Sequence, residues 1–433
     1  MRNNARIAHL GKPRVVIIGG GFAGSQLAKA LRKVDVQVVL VDKHNHHTFQ
    51  PLLYQVATAG LEADSIIHPF RKGFENQKNF YFRMGEVEFI DTERKVVETS
   101  IGSISYDYLV IATGAITNYY GNEQIKQYAI PIKSIEDALL LRNKILANFE
   151  QALLTEDEEE LNSLMDYVVV GGGPTGVEVA GALAELKKHI FPKDYKELDF
   201  VKMDIHLIEG TPRLLNGMSE EASQKAIEFL KEFGVQVWTN CCVKSYDGYT
   251  VGLDNGKKLI TKSLIWAAGV IGAPIEGIRK ESIVKGRRLK VDQYNRIDGY
   301  ENIFAIGDVA AMLTEDTPKG HPMMAPPAMQ QGQLLGENLQ NLLKGKPLKA
   351  FKYIDRGSMA TIGRNKAVVD LKAFKTQGFF AWLIWMFVHL ISIIGYRNRL
   401  VVFTNWLWSY VSYDKGLRLI VGKSENKVSD RVI

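Results

Sequence analysis

Cysteine is nearly absent from this 433-residue chain: Cys241 and Cys242 stand side by side, and no Cys-x-x-Cys occurs. That excludes a redox-active dithiol and a zinc ribbon. The pair follows the strand-like Val235-Gln236-Val237-Trp238 and reads as packing residues in a chain suited to a reducing compartment. No apolar leader core precedes the first strand-like segment, so no signal or transit peptide is expected. His44, His46 and His47 crowd one loop without cysteine or acidic companions, and read as a polar loop rather than a metal site. Charge of either sign is in little excess, at +6 overall. Nine Lys/Arg against three acids within residues 371–433 supply that whole excess, leaving residues 1–370 neutral. A basic segment of this kind attracts nucleic acid or an anionic membrane, and the apolar residues interleaved with it favour the membrane over nucleic acid.

What is present is glycine in two places where it carries chemistry. Gly19-Gly20-Gly21-Phe22-Ala23-Gly24 follows the apolar run Val15–Ile18, and Gly171-Gly172-Gly173-Pro174-Thr175-Gly176 follows Tyr167–Val170. In such a loop a buried strand turns tightly into a helix whose free N–H groups and dipole receive a pyrophosphate. A second strand follows each and ends in an acid fit to accept from ribose hydroxyls, Asp42 after Val36–Val41 and Glu209 after Met203–Ile208. One loop alone is a weak signal, whereas strand, loop, helix and acid in the same order twice imply two bound dinucleotides. Each set has a later buried strand ending in small residues, Tyr106–Gly114 closing on Ala112-Thr113-Gly114 and Lys262–Gly269 closing on Ala267-Ala268-Gly269. That is an internal repeat. A further strand, Asn302–Ile306, runs into Gly307-Asp308, an acid placed either for a ligand or for a turn. Residues 134–164 are expected as a long helix or a helical pair, and the run Glu156–Glu160 as a solvated bend. At this length the chain fits two or three domains.

The paired cradles, Ala112–Gly114 and Ala305-Ile306-Gly307-Asp308 together resemble the flavoprotein oxidoreductases with two dinucleotide folds. Within these, Phe49-Gln50-Pro51-Leu52-Leu53-Tyr54-Gln55-Val56-Ala57, Gly176-Val177-Glu178 and Trp266–Gly269 are similar to the type II NADH:quinone oxidoreductases, non-proton-pumping NADH dehydrogenases. The resemblance runs from about Arg14 to Val421. It implies an α/β fold of two Rossmann-like domains, the FAD domain discontinuous in sequence, plus a C-terminal amphipathic helical segment. Residues 1–125 and 292–348 would bind FAD, 126–291 NADH, and 349–433 would anchor to the membrane and form the quinone region. FAD would meet Gly19, Gly21, Phe22, Ala23, Gly24, Asp42, Lys43, Ala112, Thr113, Gly114, Gly307 and Asp308. NADH would meet Gly171, Gly173, Gly176, Glu209, Ala268 and Gly269. A carboxylate at Glu209 favours a free 2′-hydroxyl over a 2′-phosphate, with Arg213 tempering that preference. Glu178, Gln330 and Gln331 would serve the quinone, ubiquinone or menaquinone. The family's Ala-Gln-x-Ala-x-Gln appears here as Ala325-Pro326-Pro327-Ala328-Met329-Gln330, and Pro326 offers no donor.

Phe379–Ile394 is the most apolar stretch, and as a helix it spans about 24 Å, short of a ~30 Å hydrocarbon core. Four of the six tryptophans lie between 382 and 408. Tryptophan prefers headgroup level and Arg397 and Arg399 can reach phosphates, so residues 379–411 are expected to lie in one leaflet as a monotopic foot. A buried helical hairpin or a homodimer contact is the rival reading, and a transmembrane helix a third. The expected location is the cytoplasmic face of the cell (inner) membrane. A soluble reductase of a ferredoxin or rubredoxin shares the cradles but has no use for the tail.

Overall fold

The computed structural model describes residues 5–414, 416 and 418–421; Lys415, Lys423, Lys427 and Arg431 of the basic excess, with Glu425 and Asp430, lie outside them. Two compact units form: Met1–Thr48 with His68–Ile116 and Val270–Asp355, and Phe49–Ile67 with Thr117–Gly269 and Arg356–Ile433.

In the first unit five parallel strands lie in the order Ile303–Ala305, Tyr108–Ile111, Arg14–Ile18, Gln37–Asp42, Phe80–Met84. Their side chains alternate between two buried faces. Val16, Ile18, Val39, Val41, Leu109 and Ile111 enter one cluster, while Val15, Ile17, Val38, Leu40 and Val110 enter another. A sheet covered on both sides needs continuous apolar runs, which is why these strands carry no polar alternation. Phe80–Met84 is the edge of this sheet; Val87–Asp91, Val96–Thr99 and Gly102–Ser105 make a separate antiparallel ribbon. Helices Phe22–Ala30 and Ala325–Leu343 press together through glycine: a Cβ on Gly332 would lie 2.4 Å from the Ala23 carbonyl oxygen.

The second unit repeats the plan. Its parallel order is Ile130–Pro131, Leu264–Trp266, Tyr167–Val170, Ile205–Ile208, Gln236–Trp238. In both sheets the strand before the glycine loop is central, flanked by the strand that ends in the acid and the strand that ends in small residues. The internal repeat read from the sequence is therefore a repeat of topology. Residues 134–164 form two helices, Ile135–Ala152 and Glu158–Met165. The acidic run is not a bend. Asp157 accepts the Glu160 amide as N-cap, and Glu158–Glu160 occupy the first turn, where the helix dipole favours negative charge. The cysteines divide: Cys241 is buried, and Cys242 is exposed rather than packed.

Between residue 355 and the apolar tail the sequence reading assigned no element. Three antiparallel strands come first, Ser358–Gly363, Lys366–Asp370 and Lys375–Gln377. The first of them, Ser358–Gly363, lies against the helix Pro174–His189, where a Cβ on Gly181 would fall 1.7 Å from the Ile362 carbonyl oxygen. Then come the tail helices Phe379–Ser392 and Tyr396–Ser412. Three side-chain bonds seat the second on residues 49–67: Trp406 to Gln55, Asn405 to Glu62 and Asn398 to the Ile67 carbonyl. No helix among the described residues is long and apolar enough to cross a membrane.

Candidate functional site

The three glycines of each cradle answer to different constraints. Gly19 and Gly171 have φ of +100° and +110°, and a Cβ there would sit 2.4 and 2.5 Å from the carbonyl oxygens of Ala112 and Ala267. A Cβ on Gly24 or Gly176 would lie 1.9 Å from the carbonyl oxygen of Gly19 or Gly171. Protein packing thus demands the first and third glycines. At Gly21 and Gly173 nothing lies within 4 Å of such a Cβ, and φ is an ordinary −65° and −73°. Neither the fold nor the backbone requires glycine there, so the open face suits close approach by a ligand. Each of these glycines is the N-cap of its helix and supplies no side-chain cap, which leaves the first-turn amides to an anion. The residues present fit a pyrophosphate in both cradles.

The acids do more than the sequence suggested. Asp42 accepts the Gly20 amide at 2.6 Å and the His44 amide at 2.8 Å. Glu209 accepts the Gly172 amide at 2.6 Å, the Thr211 amide at 2.8 Å and the Thr211 hydroxyl at 2.6 Å. Each carboxylate therefore braces its loop while keeping lone pairs for a hydroxyl. Arg213 is engaged elsewhere, bonded to Asn216 and paired with Glu220.

In the first unit Phe22 and Ala23 open the cradle helix, Phe22 edge-on to His47 at 4.9 Å. His47 bonds the Gly20 carbonyl, and burial lowers its pKa to about 4, so the ring is a neutral support for the loop. Lys43 is exposed. Thr113 donates to the Ala273 carbonyl, Gly114 has φ +71° with open space beside it, and Gly307 (φ +76°) faces Ala23 and Ala328. Asp308 sits in the turn Gly307–Val309 with the positive charge of Arg288 acting on it. The two glutamines are engaged. Gln331, buried, accepts the Gly307 amide at 2.7 Å, while Gln330 exchanges two bonds with the main chain of Ile354. Pro326 and Pro327 open the helix Ala325–Leu343, where a missing N–H costs nothing.

In the second unit Ala268 accepts from the Tyr120 hydroxyl at 2.6 Å, and Gly269 has φ +129°. The helix that begins at the cradle carries Glu178 one turn in, on its buried face. Glu178 lines a cavity of about 110 Å³ together with Tyr54, Gln55, Arg364, Trp385 and Trp406. Burial pushes its carboxyl up to about 8, against the opposing pull of the Thr361 backbone and the Trp385 indole. The carboxyl is therefore protonated at neutral pH. Tyr54, Gln55, Arg364 and Trp406 were missed as individuals by sequence reasoning. The first two lie in the Phe49–Ala57 motif, but nothing in the sequence linked Arg364 or Trp406 to Glu178.

The tail helices expose one apolar stripe each, Phe380, Leu383, Phe387 and Ile391, then Leu400, Phe403, Leu407 and Val411. Both stripes follow the same three-four-four spacing, so each occupies one helix face. The opposite faces turn inward: Trp385 is 1% and Trp406 8% exposed, and Trp385 stacks on His389 at 4.1 Å. This corrects the expectation that these two tryptophans sit at headgroup level; of the four, Trp408 is the large exposed one at 65%.

Residues 13–332 match the pyridine nucleotide-disulphide oxidoreductase family, and residues 356–412 match the NDH2 C-terminal domain. The chain is 35% identical to a type II NADH:quinone oxidoreductase of Mycobacterium tuberculosis, over 93% of this chain and 89% of that protein. It is 31% identical to an internal alternative NAD(P)H-ubiquinone oxidoreductase of Arabidopsis thaliana mitochondria, over 92% and 84%. Among solved structures, NDH2 of Plasmodium falciparum in complex with NADH superposes with a TM-score of 0.86 at 23% identity, covering 95% of this chain and all of that one. That last likeness speaks for the fold.

Proposed function

Because the chain belongs to the type II NADH:quinone oxidoreductases, we propose the following division of that family's work among its residues. The protein is an oxidoreductase that takes electrons from NADH and delivers them to a quinone, with FAD as its flavin. Bound FAD supplies the two-electron relay between donor and acceptor. The first cradle, with Asp42, Lys43, Ala112–Gly114 and Gly307-Asp308, holds FAD, and residues 1–125 with 292–348 make its domain. The second cradle, with Glu209, Ala268 and Gly269, holds NADH within 126–291. Glu209 repels a 2′-phosphate, and the diversion of Arg213 to Asn216 and Glu220 supports NADH over NADPH.

Glu178 carries a proton into a cavity roofed by the tail, which makes it the candidate proton donor for the reduced quinone. Gln331 orders the Gly307 turn, and Gln330 fixes the Ile354 segment; their part in quinone binding is to hold those turns in place. The exposed stripes of the tail rest on a lipid surface, here the cytoplasmic face of the inner membrane. Burying eight large apolar side chains at about 1.5–3 kcal/mol each far exceeds what one surface ion pair supplies. A homodimer covering the same stripes is the competing occupant. The single observation that carries the reading is the pair of cradles whose middle glycines face open space. Its test is anaerobic: NADH should bleach the yellow protein, and a short-chain quinone should restore the colour. A protein that folds but cannot be reconstituted with flavin would refute it.

A further inference from the structure

We propose that Tyr54 is the hydrogen-bond donor that the cavity presents to a quinone carbonyl, with Gln55 and Trp406 as positioning residues that aim its proton. The inference rests on the quinone-reductase reading above and identifies a recognition element within it. Trp406 Nε1 lies 2.7 Å from Gln55 Oε1, and Gln55 Nε2 lies 2.8 Å from the Tyr54 hydroxyl oxygen. An indole N–H can only donate, so the end of the Gln55 amide that faces it must be oxygen. The other end is then NH₂, which can only donate, and the Tyr54 oxygen must accept from it. The proton of Tyr54 is left to point elsewhere. No acceptor among the described residues receives it.

Tyr54 is buried, 6% exposed, and lines the cavity beside Glu178 and Trp385. A buried donor without an acceptor is costly, and an entering carbonyl oxygen would relieve that cost. Burial raises the phenol well above its ordinary pKa, so the hydroxyl keeps its proton at any working pH. Tyr54 gives nothing up during turnover; the arrangement adds neither a proton nor an electron to the reaction. Its consequence is a link between parts. Trp406 belongs to the helix Tyr396–Ser412, whose outer face is the apolar stripe, and Asn405 and Asn398 on the same helix fix its seat on residues 49–67. The direction of a hydrogen bond inside the cavity is thus set by a tail residue.

The test uses the full-length flavoprotein with NADH as donor and two acceptors, a one-isoprene ubiquinone analogue and ferricyanide, which needs no hydrogen-bonded carbonyl. Tyr54→Phe should raise the quinone KM about tenfold. Trp406→Phe, which frees the Gln55 amide to turn over, should raise it about threefold. The double variant should be no worse than Tyr54→Phe alone, because both changes act through one bond. A quinone KM for Tyr54→Phe within about twofold of wild type, additive effects, or equal losses with ferricyanide would overturn the assignment. Wild-type enzyme that reduces ferricyanide but no quinone would instead sink the reading on which the assignment rests, and the assignment with it.

Discussion

The carboxylate of Glu209 receives the amide proton of Gly172 at 2.6 Å, so the acid expected to face a ribose also braces the loop that would cradle the phosphates. Asp42 and Gly20 repeat the relationship in the first unit at the same distance. One side chain thus couples loop shape to sugar recognition, because a carboxylate has lone pairs enough for both.

Removing that brace should weaken nucleotide binding twice over. Glu209→Ala loses the charged acceptor and the loop anchor, and the NADH KM should rise about ten- to a hundredfold, the range expected for a hydrogen bond to a charged group. Glu209→Gln keeps an oxygen for Gly172 but drops the charge. Its NADH KM should rise less, while the ratio of NADPH to NADH efficiency climbs. Steady-state rates with both nucleotides measure this, and an unchanged ratio would argue against charge as the discriminator.

The glycines separate folding from binding. Gly24→Ala and Gly176→Ala place a methyl 1.9 Å from a carbonyl oxygen and should cost several degrees of Tm or the fold itself. Gly21→Ala and Gly173→Ala meet no protein atom within 4 Å and should melt like wild type. The first should nevertheless lose flavin and the second should bind NADH poorly. Thermal melts beside flavin absorbance and NADH titration distinguish the two classes.

Glu178 gives a pH dependence with a definite sign. Its carboxyl titrates near 4.5 in the unfolded chain and about 8 in the folded one, so between those values the folded state holds the extra proton. Stability therefore falls as pH rises from about 4.5 toward 8 and levels above it. Glu178→Gln removes that slope. The variant should gain stability over wild type with rising pH, by up to a few kcal/mol near pH 8. Its quinone reduction should be slow and should lack the decline that wild type shows as Glu178 ionises. Parallel slopes of Tm against pH in the two proteins would contradict the buried-acid assignment.

The tail tests by polarity and by burial. Phe387 and Leu407 are 64% and 53% exposed, and Phe387→Glu with Leu407→Glu should leave Tm unchanged while abolishing sedimentation with anionic vesicles. Trp385→Ala opens a cavity at a 1% exposed site and should cost about 3–5 kcal/mol of stability. If the paired glutamates instead convert a dimer to a monomer and vesicle binding persists, the stripes face a second copy.

Some of this could be read directly from residues. The order strand, glycine loop, helix, acid recurs because each step is a local requirement: apolar runs for a doubly covered sheet, glycines for a tight turn, an acid where the next strand ends. Gly19, Gly24, Asp42, Gly171, Gly176 and Glu209 all occupy the places that this logic gives them. The acidic run at 156–160 misled, since five acids look the same on a bend and on the first turn of a helix; only the Asp157 cap tells them apart. The three strands after 355 escaped notice because their burial comes from helices distant in sequence or later in the tail: Ser358–Gly363 packs on Pro174–His189, and Lys366–Asp370 on Phe379–Ser392 and Glu220–Glu232.

The sequence by itself determined the two dinucleotide folds and the apolar tail, since each is written in spacing over a few tens of residues, and its motifs carried the resemblance that implied the reaction family. Which face of the tail points inward, which tryptophans are buried, and how Tyr54, Gln55, Glu178 and Trp406 share one cavity were decided only by tertiary structure. The reason is physical: burial and the direction of a hydrogen bond depend on neighbours far apart along the chain, and helical spacing alone gives a face without saying what covers it.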